Sequence, residues 1–171
     1  MSLEPSHTYA AAPSALDAGT EVSDLHLLFA LGDEVYATRL MQIRELLEPG
    51  DVRRVPDTVA CFEGLMNVRG EIVAVIDLRR RFGLPETSNG MSILLIFDTE
   101  HGPIAARVDK ALRVSQINDE KIVKQPHIAT PIPREYLVGA ADIDGRIIAF
   151  VDLKLVLSKS ELAALSEARA S

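Results

Sequence analysis

The chain has 171 residues, 47% of them hydrophobic and 25% charged, and a formal net charge of −7. That length suits one ordinary domain or two small intertwined halves with a real core, and the composition is globular rather than disordered. The acidic balance excludes the basic footprint that phosphate binding needs, so nucleic acid is not an expected partner, and attraction to an anionic lipid surface is disfavoured.

A single cysteine, Cys61, cannot form an internal disulfide. The first residues lack the basic start and apolar run of a signal peptide, and no stretch approaches the roughly 18 apolar residues of a membrane span. The expected location is cytoplasmic, without direct membrane insertion. Residues 1–23, rich in Ala, Ser, Thr and Pro without a period, read as a disordered tail.

From Leu25 the texture changes. Leu25 to Leu31 reads as a strand, Gly32-Asp33 as a turn, and Glu34 to Ala37 as the returning strand. Leu40, Ile43 and Leu46 recur at every third position, which suits a helical turn or a segment that straightens into a strand after Ile43. Pro56 and Asp57 break the chain, and Phe62 to Val68 with Glu71 to Ile76 form a hairpin around Arg69-Gly70. Asp77 is placed to cap a short helix, Leu78 to Phe82, which Gly83 ends. Glu86 to Gly90 reads as a loop. Ser92 to Phe97 and Pro103 to Asp109 are strands joined at His101-Gly102, and Pro126, Pro131 and Pro133 mark an irregular connection. A further hairpin runs from Tyr136 to Val151 around Asp144-Gly145. Ser158 and Glu161 have capping-box spacing ahead of a C-terminal helix, with a short tail, over 158–171.

The chain contains itself twice. Gly64, Asn67, Arg69, Gly70, Asp77 and Leu78 reappear as Gly139, Asp142, Asp144, Gly145, Asp152 and Leu153, at a constant offset of 75 from Gly64 to Gly139. A fainter echo sets Arg39, Ile43 and Leu46 against Arg107, Ala111 and Val114 at an offset of 68. The hairpin repeats lie near 62–78 and 136–153. Short strands with tight turns in two copies imply an all-β fold with short helices: two pseudo-repeated five-stranded β-barrels plus the C-terminal helix.

One aspartate per copy raises an enzyme reading, in which Asp77 and Asp152 share a proton as a hydrolytic dyad. Their context argues against it. Each is followed by leucine and a helical pattern rather than by small hydroxyl and glycine residues, and capping accounts for both. His7, His26, His101 and His127 have no metal-ligand spacing, and no phosphate loop occurs, so neither metal nor cofactor is expected. Arg79, Arg80 and Arg81 read as a solvated helix face or as a grip on an anionic partner. What remains is surface suited to docking. Arg69 stands where the second copy has Asp144, and Glu45 where it has Arg113. Positions that differ between copies are where the halves can specialise; the plain reading is an exposed pair worth at most ~1 kcal/mol.

In order and spacing, several groups of residues together resemble the CheW-like chemotaxis coupling proteins. They are Leu28 to Tyr36, Ile43-Arg44-Glu45, Val55-Pro56, Phe62 to Val73 with its Asn67-x-Arg69-Gly70 hairpin, Val75 to Arg79, Val108-Asp109, Glu135 to Gly139 and Gly145 to Ile148. The likeness covers roughly Leu25 to Leu165, within an expected domain of residues 24–165. It implies two SH3-like barrels and a non-catalytic bacterial adaptor. Such an adaptor binds the cytoplasmic tip of chemoreceptors and the regulatory domain of a CheA-type histidine kinase, as a monomer that joins larger arrays. It also implies receptor- or kinase-binding roles for Ile43, Glu45, Gly64, Arg69, Val114 and Gly139, with Asn67, Gly70 and Gly145 shaping the hairpins. Ala74 and Val59 stand where the family often has proline, and Ala111 where it has valine. Those departures bear on the pathway, since related adaptors serve pilus-motility and other chemosensory arrays.

Overall fold

A computed structural model of the chain describes residues 21–56, 59–85, 90–124 and 127–170. The tail as far as residue 20, Asp57, most of the loop expected at 86–90, Pro126 and the final Ser171 lie outside the described residues.

Ten strands follow one another: β1 (Leu25–Leu31), β2 (Glu34–Arg39), β3 (Glu45–Leu47), β4 (Phe62–Val68), β5 (Glu71–Asp77), β6 (Ile93–Thr99), β7 (Gly102–Val108), β8 (Lys110–Gln116), β9 (Leu137–Ile143) and β10 (Arg146–Val151). Two helices join them, α1 (Leu78–Phe82) and α2 (Lys159–Ala170). The expected hairpins are present. Leu40–Gln42 is a 3-10 turn, after which the chain straightens into β3. Residues 22–24, the first two of them assigned to the tail from sequence, also form a 3-10 turn. Strand β8 has no counterpart in the sequence reading.

The strands form two five-stranded sheets, ordered β8-β1-β2-β10-β9 and β3-β6-β7-β5-β4. Replacing each strand by its repeat partner turns one order into the other. The copies are therefore exchanged: each sheet holds a hairpin from one copy and three strands from the other. One sheet uses only residues between Glu45 and Val108, so it is inserted within the other, which is split between 25–39 and 110–151. The two are called here the inserted and the split barrel.

Side-chain alternation along the strands builds three cores. Leu28, Val35, Ala37, Ile148 and Phe150 fill the split barrel. Met66, Val73, Val75, Leu94 and Ile96 fill the inserted one. The opposite faces, including Leu27, Phe29, Tyr36, Ile76, Leu95 and Phe97, pack together between the barrels with Leu162 and Leu165 of α2. Both faces of β1 are thus covered, which is why its seven residues are all buried.

The chain crosses between barrels twice, and each crossing is pinned by polar groups. At Leu40–Gln42, Gln42 Nε2 donates to Asp152 Oδ1 (2.8 Å). At Asp109, the carboxylate receives the Arg79 guanidinium, Nε at 2.8 Å and Nη2 closer still, together with the Gly32 N–H at 2.6 Å. The arginine run is accordingly not a solvated face. Arg79 is buried, and Arg81 donates to Glu161 Oε2 (2.6 Å), Tyr136 OH (3.2 Å) and Cys61 Sγ (3.3 Å), tying α1 to α2; only Arg80 is exposed.

The capping box forms as expected: Glu161 N–H donates to Ser158 Oγ (3.2 Å) and Ser158 N–H to Glu161 Oε1 (2.8 Å). Replacing Glu161 by alanine removes both the carboxylate half of this capping box and the ion-pair partner of half-buried Arg81. The expected result is a loss of about 2 kcal/mol and faster amide exchange throughout α2, read by hydrogen–deuterium exchange.

Candidate interaction site

The two Asn/Asp-Gly hairpins are built alike. Asn67 Oδ1 accepts the Gly70 N–H at 2.8 Å, and Asp142 Oδ1 accepts the Gly145 N–H at 2.9 Å. The residue before each glycine adopts positive φ, 51° at Arg69 and 54° at Asp144. Aspartate tolerates this left-handed region through its short polar side chain; arginine is a costlier choice there. A residue held in such a region against its preference points to a functional demand on its side chain.

That side chain reaches Glu45. Arg69 Nη2 donates to Glu45 Oε2, joining the β4–β5 turn to β3 across the two ends of the inserted sheet. In the split barrel the equivalent pair is Arg113 Nη2 and Asp144 Oδ2, 3.6 Å apart. The sequence set these four positions aside as separate differences between copies. In space they are two clasps of opposite polarity, each drawing one sheet's edges together. Arg69 is the more exposed partner of its pair, 68% against 24% for Glu45. An exposed pair contributes no more than ~1 kcal/mol, so its stabilising role is small.

Gly64 and Gly139 sit where another segment crosses close by. A Cβ on Gly64, at φ +153°, would lie 2.1 Å from the Arg53 carbonyl oxygen. One on Gly139 would lie 2.5 Å from Ile122 Cγ2 and 2.8 Å from the Val123 oxygen. Both glycines therefore have a steric reason that requires no partner: the bridges Arg53–Leu65 and Val123–Ala140 pass beside them. Ile43 and Val114 are half-buried against the core between the barrels. The structure thus brings Glu45 and Arg69 into contact and sets Ile43 and Val114 on the shared core, while Gly64 and Gly139 lie on separate barrels.

Beside Gly139, an open groove of about 530 Å³ is lined by Val123, Ile128, Ala140, Ala141 and Ile147, with Lys121, His127 and Asp142 among its polar residues. Val123 and Ile147 are 59% and 51% exposed. In the inserted barrel, Leu65 and Met66 stand at the positions of Ala140 and Ala141. Sequence reading missed this groove, although that pair of alanines in the repeat was its visible trace.

Asp77 and Asp152 do what capping requires. Each Oδ1 accepts the backbone N–H two residues ahead at 2.9 Å, Arg79 in one barrel and Lys154 in the other. Burial pushes the Asp77 carboxyl up, and neither aspartate has the other among its partners. Among the described residues no group of His, Cys, Asp and Glu is arranged to hold a metal, and no helix is long and apolar enough to cross a membrane.

The family model described as a CheW-like domain matches residues 25–161. The chain belongs to the CheW-like family. Two chemotaxis proteins CheW resemble this CheW-like chain at 32% identity. That of Treponema pallidum (strain Nichols) aligns over 146 residues, 81% of this chain and 84% of its own. That of Klebsiella aerogenes aligns over 149 residues, 85% and 89%. The scaffolding protein TtCheW from Thermoanaerobacter tengcongensis superposes with a TM-score of 0.74 over 84% of this chain and 93% of its own, at 24% identity, which establishes the shared fold of two SH3-like barrels.

Proposed function

We propose that this chain is a non-catalytic adaptor that couples chemoreceptors to a CheA-type histidine kinase, acting in the cytoplasm and recruited to membrane receptor arrays. Membership of the CheW-like family over residues 25–161 carries this reading. Two features of the surface support it: the Glu45–Arg69 clasp, whose arginine is exposed and held at positive φ, and the apolar groove beside Gly139. An apolar groove with polar residues at its margin is suited to docking another protein. In this reading Glu45 and Arg69 present a charged contact, Ile43 and Val114 support it from the core, and residues 24–165 act as one adaptor domain.

Reconstitution with kinase and a receptor fragment tests it. The expected result is receptor-dependent kinase autophosphorylation that requires this chain; folded protein that binds neither partner overturns the reading. Arg69→Ala is expected to weaken assembly at least tenfold while moving the unfolding free energy by less than about 1 kcal/mol. A large loss of stability instead would make Arg69 structural.

A further inference from the structure

The internal repeat provides a control for sites on the strands, because each strand of one barrel has a counterpart at the same place in the other. In the inserted barrel, Arg107 reaches across the sheet to Glu63 in a two-pronged bridge, Nε to Oε2 at 2.7 Å and Nη2 to Oε1 at 2.9 Å, while its Nη1 donates to Ser92 Oγ. Both side chains are largely shielded, at 23% and 16% exposure.

The counterpart of Arg107 is Arg39, at the 68-residue offset. The counterpart of Glu63 is Val138, at the 75-residue offset. The split barrel therefore keeps the cation and lacks the carboxylate. Beside Val138, from which the carboxylate would extend, there is a cavity of about 140 Å³ whose lining includes Arg39, Lys124, His26, Thr38, Gln42 and Asp152. His26 and Thr38 stand where the inserted barrel has Leu94 and Ala106, so the cavity is also more polar than its counterpart.

The other contacts of Arg39 are at the exposed surface. Its Nη1 donates to the Ser23 carbonyl (2.6 Å) and its Nη2 meets Asp119 at 3.3 Å in an exposed pair. Asp119 is itself held chiefly by Lys124, whose hydrogen bond lowers its carboxyl pKa. The Arg39 Nε–H, the group that Arg107 gives to Glu63, has no partner among the described residues. Asp152 beside the cavity is no obstacle in principle, because its counterpart Asp77 lies near Glu63 in the inserted barrel.

We propose that this cavity is a carboxylate subsite, which takes one Asp or Glu side chain from an extended peptide segment, received by Arg39 as Arg107 receives Glu63. Its size suits a side chain and falls well below the ~300 Å³ and more of ordinary small-molecule sites. A peptide is favoured over a free carboxylate because β9 is an edge strand. The N–H and C=O of Ala140 both turn outward to Val123, and the register shift between Phe150 and Val151 places a β-bulge at Val138. A strand that continues this edge beyond Val123 comes beside the bulge at Val138 and so brings a side chain to the cavity that Val138 lines. A formal charge of −7 on the chain disfavours a long acidic tract and suits a single carboxylate among neutral neighbours.

The test uses the full chain and three probes: acetate, the capped peptide Ala-Ala-Glu-Ala-Ala, and its Ala-Ala-Gln-Ala-Ala analogue, followed by amide and His26 ring shifts in NMR. The glutamate peptide is expected to give saturable shifts at His26, Thr38 and Arg39, at least tenfold tighter than acetate and absent with the glutamine analogue. Arg39→Gln is expected to abolish them. Val138→Glu, which supplies the carboxylate from within, is expected to abolish them too and to raise the thermal midpoint by about 2–4 °C in chloride buffer. Equal shifts from both peptides, or shifts that survive Arg39→Gln, would overturn the subsite. Acetate binding as tightly as the peptide would overturn the peptide as its source. None of these measurements needs kinase or receptor, so a failure here leaves the adaptor reading standing.

Discussion

Arg79→Ala is expected to lower stability by about 3–5 kcal/mol, the cost of leaving a buried carboxylate without its cation. The Asp109 side chain is only 13% exposed and Arg79 only 8%, so water is not free to replace the missing partner. In a chain of this size the loss corresponds to a drop of roughly 10 °C or more in the midpoint. Arg79→Lys is expected to recover little, because an ammonium cannot reproduce the two-pronged fork. If Arg79→Ala proves too unstable to measure, the double replacement Arg79→Met with Asp109→Leu removes both charges at once. It is expected to be more stable than either single variant; a double variant as damaged as the singles combined would mean that the pair is not coupled.

The same pair sets an acid limit. Burial pushes the Asp109 carboxyl up, but hydrogen bonds from Arg79 and Gly32 outweigh it and hold the group below the usual carboxylate range. A carboxyl whose folded pKa is depressed contributes stability that is fully present above its unfolded pKa, near ~3.9, and is lost as pH falls through the folded value. The denaturant midpoint of the wild type is therefore expected to fall more steeply below about pH 4 than that of the double variant. Parallel acid limbs would show that Asp109 is not depressed.

The second large effect is at the glycines. Gly64→Ala is expected to cost about 3–5 kcal/mol, because the new methyl meets backbone on one side and an unfavourable φ on the other. Gly139→Ala is expected to cost about 2–3 kcal/mol, since the methyl would meet both Ile122 Cγ2 and the Val123 backbone oxygen, but at an ordinary φ. Urea unfolding followed by fluorescence or circular dichroism measures both. A Gly64→Ala protein with an unchanged midpoint and impaired partner binding would reverse this, making Gly64 a contact residue rather than a structural one.

Much of the architecture was legible because it is local. The αL turns at Arg69-Gly70 and Asp144-Gly145, the Asp77 cap, the Gly83 stop and the Ser158–Glu161 box each involve residues within a few positions of one another. The repeat also revealed its two offsets. The pairing of strands was not legible, since alternation shows which face of a strand is apolar and not which strand lies beside it. Nothing local says that β3 leaves its own hairpin to pair with β6, or that β10 runs parallel to β2. β8 escaped notice because only Asp109 separates it from β7, with no turn residues to mark a change of sheet. Glu45 and Arg69 were singled out as unlike their counterparts; that they touch each other follows only from the way the sheet curls. The arginine run was misread because a charged helix face ordinarily points to water. Its partners, Asp109 and Glu161, lie 30 and 80 residues further on.

The insertion of one barrel inside the other fixes an order of events during synthesis. The ribosome releases the whole inserted barrel once Val108 has emerged, while the β1–β2 hairpin made before it still lacks both neighbours, β8 and β10. At 5–20 residues per second, the wait from Arg39 to Val151 is roughly 6–22 s. Until Val108 has emerged, the strand Leu25 to Leu31, apolar on both faces, has only β2 or a chaperone to lean on, and after that the finished barrel as well. Strands β1 and β2, made before the inserted barrel, are closed only after it, and a chain stopped after β7 would carry a complete barrel together with an unsealed, aggregation-prone edge.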